Sequence, residues 1–224
     1  MRVFSLFLVL FAVMNAAVAY EPPADQSRLV LDRQGVRIWA YQVPDSAIYG
    51  FKAMTTVRSS LSALVSLIAD TEVAPRWIYR TKSVEQLQRN DNDLTFSVRV
   101  ITDFPWPFRD REALVAGRVV QDPQTLKVRI DSNQIRTLPP LSCCVRMPLV
   151  EGSWVFRPLG NGMVEVTMTG HADPGGNIPA GAVNLLIQEY PYNTLKGLRR
   201  VLMDDRYQKS QFPSIREPGQ VAAP

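Results

Sequence analysis

Between Gly35 and Thr169 one local pattern repeats, in which short runs alternate apolar and polar residues and are broken by polar turns. Leu126, Val128 and Ile130 alternate with Lys127, Arg129 and Asp131, and Phe96, Val98 and Val100 alternate with Thr95, Ser97 and Arg99. A period of two places all the apolar side chains of a strand on one face. The connections Pro44-Asp45-Ser46, Asn90-Asp91-Asn92-Asp93, Asp122-Pro123 and Gly160-Asn161-Gly162 carry turn chemistry and are too short to cross over between parallel strands. The expectation is an antiparallel sheet that is wet on one face and must be covered on the other. Strands are predicted near residues 35–43, 49–57, 81–89, 94–101, 112–120, 126–132, 142–147, 152–158 and 163–169.

Two helices are available as cover. Ser59 or Ser60 can cap the first, whose Leu61, Leu64, Val65 and Ile68 share one face, and Pro75 ends it. The second runs from about Pro179 to Met203, with Val183, Leu186, Ile187, Tyr190, Thr194, Leu198, Val201 and Leu202 on a broad stripe. Pro191 lies inside that run, removes a backbone donor and is expected to kink it. Strands followed by a covering helix make an α+β fold of one domain, residues 20–207. Residues 208–224 are polar and rich in Pro and Gly, and are expected to be a flexible tail.

Ahead of the domain, Val3 to Ala19 is almost wholly apolar, follows Arg2 and ends in the small-x-small run Ala17-Val18-Ala19. This reads as a signal peptide over residues 1–19, with export to the periplasm or the medium; an uncleaved anchor is the alternative. A net charge of +4 implies no broad basic surface, so no nucleic-acid partner is expected. Cys143 and Cys144 are the two cysteines; neighbours can close only a small strained ring, so two unpaired thiols on a strand are expected. Catalytic chemistry is sparse. His171 is the one histidine, no cluster has metal-ligand spacing, and no cofactor is expected.

Punctuating motifs recur along the chain: Arg76-Trp77 at the end of the first helix, Pro105-Trp106-Pro107 leading into Arg111-Glu112, then Arg146, Gly152-x-Trp154 and Pro158, and finally Asp173-Pro174-Gly175-Gly176-Asn177-Ile178-Pro179. In order and spacing this series resembles the START family of lipid-transfer domains. The resemblance spans Gly35 to Leu202 and implies a helix-grip fold, a curved antiparallel sheet wrapped around a long C-terminal helix with a hydrophobic tunnel between them. This chain has Arg111-Glu112-Ala113 where the family has Arg-Asp-aromatic, and Trp77-Ile78 where it has Trp-Asp or Trp-Asn. The positions that carry a buried acid and arginine in some sterol-binding members fall near Val98 and on Gly117, so a sterol-type polar anchor is not implied.

With the alternation, the resemblance assigns a ligand-binding lining. From the strands come Phe51, Ala53, Thr55, Phe96, Val98 and Val100, then Ala113, Val115, Val128, Ile130, Val164, Val166 and Met168. From the helix come Val183, Leu186, Ile187, Tyr190 and Thr194. Phe104, Trp106 and Phe108 either dip into a bilayer interface beside Arg109 and Arg111 or pack as a plug, and packing is favoured. The implied ligand is a phospholipid, fatty acid or sterol-like molecule carried by a monomer with transient contact to a membrane surface. The alternatives are a cavity enzyme of the wider superfamily, using His171 or an inward carboxylate such as Glu165 or Glu189, a ligand-dependent sensor, or a solid domain without ligand.

Overall fold

The computed structural model describes residues 26–219; the expected signal peptide and residues 220–224 lie outside them. In chain order the elements are β1 (Ser27–Arg33), β2 (Val36–Tyr41), β3 (Gly50–Arg58), α1 (Leu61–Ala69), β4 (Thr81–Asn90), β5 (Thr95–Thr102), β6 (Arg111–Gln121), β7 (Val128–Gln134), β8 (Val145–Arg146), β9 (Leu149–Gly160), β10 (Met163–Asp173), α2 (Ala180–Val201) and α3 (Asp205–Gln208). One sheet runs β1-β2-β3-β10-β9-β7-β6-β5-β4, antiparallel along that path, and β8 adds to β6 in parallel. This is the helix-grip architecture.

The strands form where the alternation predicts them, and two places differ. β1 lies ahead of the first predicted strand and pairs with β2 through a register shift between Leu29 and Leu31, which interrupts the period of two. In the expected strand 142–147 only Val145 and Arg146 pair; Ser142 to Cys144 form a turn, and Cys143 and Cys144 are joined as a vicinal disulfide rather than left as thiols. Arg109 holds that turn by donating to the carbonyls of Ser142, Cys143 and Cys144.

Ser60 caps α1, its hydroxyl accepting from Ala63 N at 3.0 Å. The segment expected as a loose tail docks on the same helix as far as it is described. Glu217 accepts from Leu61 N and Ser62 N at 3.1 and 2.7 Å, putting an anion where the helix N-terminus has unpaired donors. Gln121 grips the backbone of Arg216 on both sides, at 2.8 and 2.9 Å, and Ile215 is buried. Composition marks this stretch as polar, but two apolar residues and a capping carboxylate are enough to order it.

α2 differs along its length. From Pro191 onwards it is packed into the core, with Leu195 and Leu198 fully buried; the turns before Pro191 are exposed or half-buried. Gly197 explains the tight half. Glycine costs a helix interior about 1 kcal/mol relative to alanine, so its presence needs a reason. A Cβ there would lie 2.3 Å from the Trp77 carbonyl oxygen, so the helix rests directly on the backbone that follows α1. The core below joins Val36, Ile38, Leu64, Val128, Phe156 and Val166.

On the opposite face of the sheet, Glu112 is fully buried between Arg99 and Arg146, at 3.2 and 3.1 Å, and also accepts from Leu141 N at 3.0 Å. Burial pushes its carboxyl upwards. The hydrogen bonds from Arg146 and Leu141, with the charges of Arg146 and Arg99, outweigh burial and hold it below the usual carboxylate range. A depressed folded pKa contributes stability above the unfolded glutamate value of about 4.3 and loses it as pH falls through the lower folded value.

Two predictions follow from this packing. In urea unfolding Gly197→Ala should cost about 2 kcal/mol through overpacking, whereas Gly181→Ala, with open space around its Cα, should be neutral or stabilising by less than about 1 kcal/mol. Glu112→Gln should cost about 2 kcal/mol at pH 7, and its deficit relative to the native protein should shrink as pH is lowered below about 4.

Candidate functional site

The concave face of the sheet and the N-terminal half of α2 touch where Phe51 packs edge-on against Tyr190, ring centroids 6.1 Å apart, and elsewhere stand off from each other. Between them lies a cavity of about 420 Å³, within the range of about 300–1,000 Å³ that small-molecule sites occupy. Two glycines keep it open. A Cβ at Gly170 would fall 2.8 Å from the Phe51 ring, and one at Gly117 would fall 2.5 Å from the Phe96 ring. Both rings therefore lie across neighbouring glycines. A glycine inside a strand is a sequence signal of close approach, and it is the signal that could have located this space.

The expected lining divides in two. Phe51, Phe96, Val98, Val100, Ala113, Val115, Ile130 and Met168 border the cavity, as do Val183, Leu186, Ile187 and Tyr190 of α2. Ala53, Val128, Val164 and Val166 also face inwards, but into the solid core, which the second half of α2 closes. Thr55 and Thr194 are buried away from the cavity. Thr55 donates to the Gly35 carbonyl at 2.9 Å, and Thr194 accepts from Tyr79 N at 3.2 Å. The six residues outside the lining share the correct face and differ only in what stands opposite them. Residues from loops and from α1 complete the wall, among them Ile48, Tyr49, Ile68, Met147 and Phe212. No periodicity marks the loop residues.

One end of the cavity lies under the start of α2. Here Phe104 borders the space and Phe108 packs edge-on against it at 6.4 Å, while Trp106 is 92% exposed. Packing thus describes Phe104 and in part Phe108, and Trp106 alone stands clear. Arg111, which the bilayer alternative would have put beside a membrane surface, is 2% exposed. Its guanidinium lies 4.4 Å from the Phe104 ring centroid and donates to the carbonyls of Pro174 (2.7 Å), Gly175 (3.2 Å) and Arg109. Burial, then repulsion from Arg109, lowers its pKa. It fixes the turn from which α2 starts. Asn184 ties α2 to the β2–β3 loop, accepting from Tyr49 N at 2.9 Å and donating to the Ala47 carbonyl at 3.2 Å. Further along, burial raises the Tyr190 phenol to about 12.

The enzyme alternative required His171, Glu165 or Glu189 to work inside this space. Glu165 pairs with Arg157 at 2.8 Å, and Glu189 is exposed and accepts from the Tyr79 hydroxyl at 2.5 Å. His171 is buried at the cavity rim; its Nε2 is 3.0 Å from Ser46 Oγ and its Nδ1 is 3.4 Å from Glu151. The order serine, histidine, carboxylate is that of a nucleophilic triad. However, the Ser46 hydroxyl is already closed into a turn by the N–H and carbonyl of Ile48, each at 3.1 Å. Alternation from Met168 and Gly170 also sends the His171 side chain to the outer face. The trio holds the β2–β3 loop. Among the described residues no group of His, Cys, Asp and Glu is placed to hold a metal ion.

No family model matches the chain. It is 25% identical over 194 residues to PA1579, an uncharacterised protein of Pseudomonas aeruginosa, covering 87% of this chain and 95% of that one. Among solved structures, the STAR-related lipid transfer protein of Xanthomonas axonopodis superposes with a TM-score of 0.75 at 24% identity, covering 80% of this chain and 100% of that one. Human StAR-related lipid transfer protein 5 gives 0.72 at 13% identity (80% and 88% covered), and human STARD10 gives 0.70 at 15% (84% and 82% covered). Sequence identities this low speak for backbone architecture, and that architecture is shared over nearly the whole of each domain: the chain has the fold of the STAR-related lipid transfer domains.

Proposed function

We propose that this protein binds one lipid, or another hydrophobic small molecule of similar size, in the cavity under α2 and carries it between membranes after export. The observation that carries the reading is an apolar cavity of about 420 Å³ walled by Val98, Val100, Ala113, Val115, Leu186 and Ile187. Enclosing apolar surface is worth about 25 cal/mol per Å², so one buried chain gains several kcal/mol without any reactive group. The shared fold supports the same reading, since the Xanthomonas and human proteins are lipid transfer proteins by name. The apolar run before Tyr20 supports export, which would set the carrier to work outside the cytoplasm.

Loading requires the wall to open, and the first half of α2, exposed or half-buried along its length, is the less tightly packed part. It lies over a void, whereas the second half is wedged against Trp77 at Gly197. Pro191 sits at the junction, where it removes one backbone donor from the helix. The β2–β3 loop would move with the helix through Asn184. Motions of this kind fall in the microsecond to millisecond range and set exchange rates rather than affinities.

Two experiments test this. Native mass spectrometry of the mature protein, purified from its host without detergent, should show a lipid in one-to-one ratio that solvent extraction removes; Ala113→Trp should fold normally and lack it. An empty native protein that takes nothing from vesicles would end the carrier reading. Pro191→Ala should slow lipid exchange between vesicles severalfold with little change in equilibrium affinity, and equal changes in both would rule out a hinge there.

A further inference from the structure

We propose that Phe212 sets the length of the ligand, as a specificity-determining residue at the end of the cavity remote from the start of α2. The inference rests on the carrier reading and adds that the occupant is an extended acyl chain with its methyl end against Phe212.

β5 measures the space. Thr102 borders it near Phe104 and Arg111, and Phe96 borders it six residues away towards the β4–β5 hairpin. At about 3.3 Å per residue that is about 20 Å, the reach of an extended acyl chain. The far end is closed by Ile68 and Ala69 of α1, Leu94, Val119 and Phe212. The charged residues at that rim, Arg89 and Asp91, pair with each other at 2.5 Å. Asn90 is likewise engaged within the hairpin turn, donating to Asp93 at 2.9 Å. Apart from Thr71 and Thr95, the surface left for a ligand there is apolar, which suits a chain terminus better than a headgroup.

Phe212 comes from the stretch after Tyr207, outside the START-like segment, and is held from both sides. Before it, Ser210 Oγ donates to Ser66 Oγ at 3.1 Å; after it, Ile215 N donates to the Phe212 carbonyl at 2.8 Å and the Ile215 side chain is buried. The grip of Gln121 on Arg216 and the Glu217 cap on α1 anchor the rest. A wall fixed this firmly forms a stop, and replacing its ring should move the stop.

The test is displacement of a fluorescent fatty acid by a homologous series of saturated fatty acids from the native protein, Phe212→Ala and Phe212→Trp. Affinity should rise about fourfold per added methylene and level off where the chain meets the wall. Phe212→Ala should move that cut-off to acids about two methylenes longer, and Phe212→Trp, which keeps the packing if the alanine variant fails to fold, should move it to shorter ones. A cut-off unchanged in folded variants that bind normally overturns this inference and leaves the carrier reading intact. Failure of the native protein to bind any acid of the series overturns the acyl-chain assignment, and it reaches the carrier reading only if vesicle lipids are refused as well.

Discussion

The contact of Gly197 with the backbone at Trp77 divides the molecule into a part that is packed and a part that is hollow. A twisted antiparallel sheet with one apolar face has to be covered, and α2 is the longest element available to cover it. Where the helix touches, Gly197 lies against the Trp77 backbone and Leu195 and Leu198 are fully buried. Towards its N-terminus the same helix spans a gap. Phe51 and Phe96 border that gap and lie over Gly170 and Gly117. The cavity therefore depends on two small residues in the wall and one in the helix.

The ionisable groups around the cavity are spent on the protein. Arg111 satisfies three carbonyls and aligns the turn before α2, and His171 and Glu151 hold the β2–β3 loop through Ser46. Glu112, with its two arginines, staples the loop that carries the vicinal disulfide. Each could be mistaken for a site in the sequence. Hydrogen bonds to backbone carbonyls and amides meet much of the cost of burial for Arg111 and Glu112, whereas Arg99 Nε, Glu112 Oε1 and His171 Nδ1 have charged neighbours at 3.1–3.4 Å without a hydrogen bond. What is left facing the interior is chiefly shape and apolar surface, with the Tyr190 phenol.

Much of the architecture was legible in the chain because it rests on short-range rules. The alternation at Val128–Asp131 and Thr95–Val100, the cap at Ser60 and the proline within α2 all act over a few residues, and the strands and helices formed where those signals stood. Leu126, however, closes the turn before β7 instead of starting the strand. The lining was legible only as a choice of face. Val98 and Val166 obey the same alternation, yet one borders the cavity and the other lies in the solid core. Local spacing cannot distinguish them, because the difference is whether α2 has closed the distance opposite.

The sequence by itself determined an antiparallel sheet, its inward face, the covering helix and the scarcity of reactive groups, since these follow from residue periodicity and composition. Only the tertiary structure decided that Ala53, Thr55, Val128, Val164, Val166 and Thr194 are core, that Arg111 is buried, and that Cys143 and Cys144 are joined. The same holds for Phe212, in a stretch whose composition reads as a tail. These features depend on segments far apart in the chain coming to lie at particular distances, and that is a property of the packed fold.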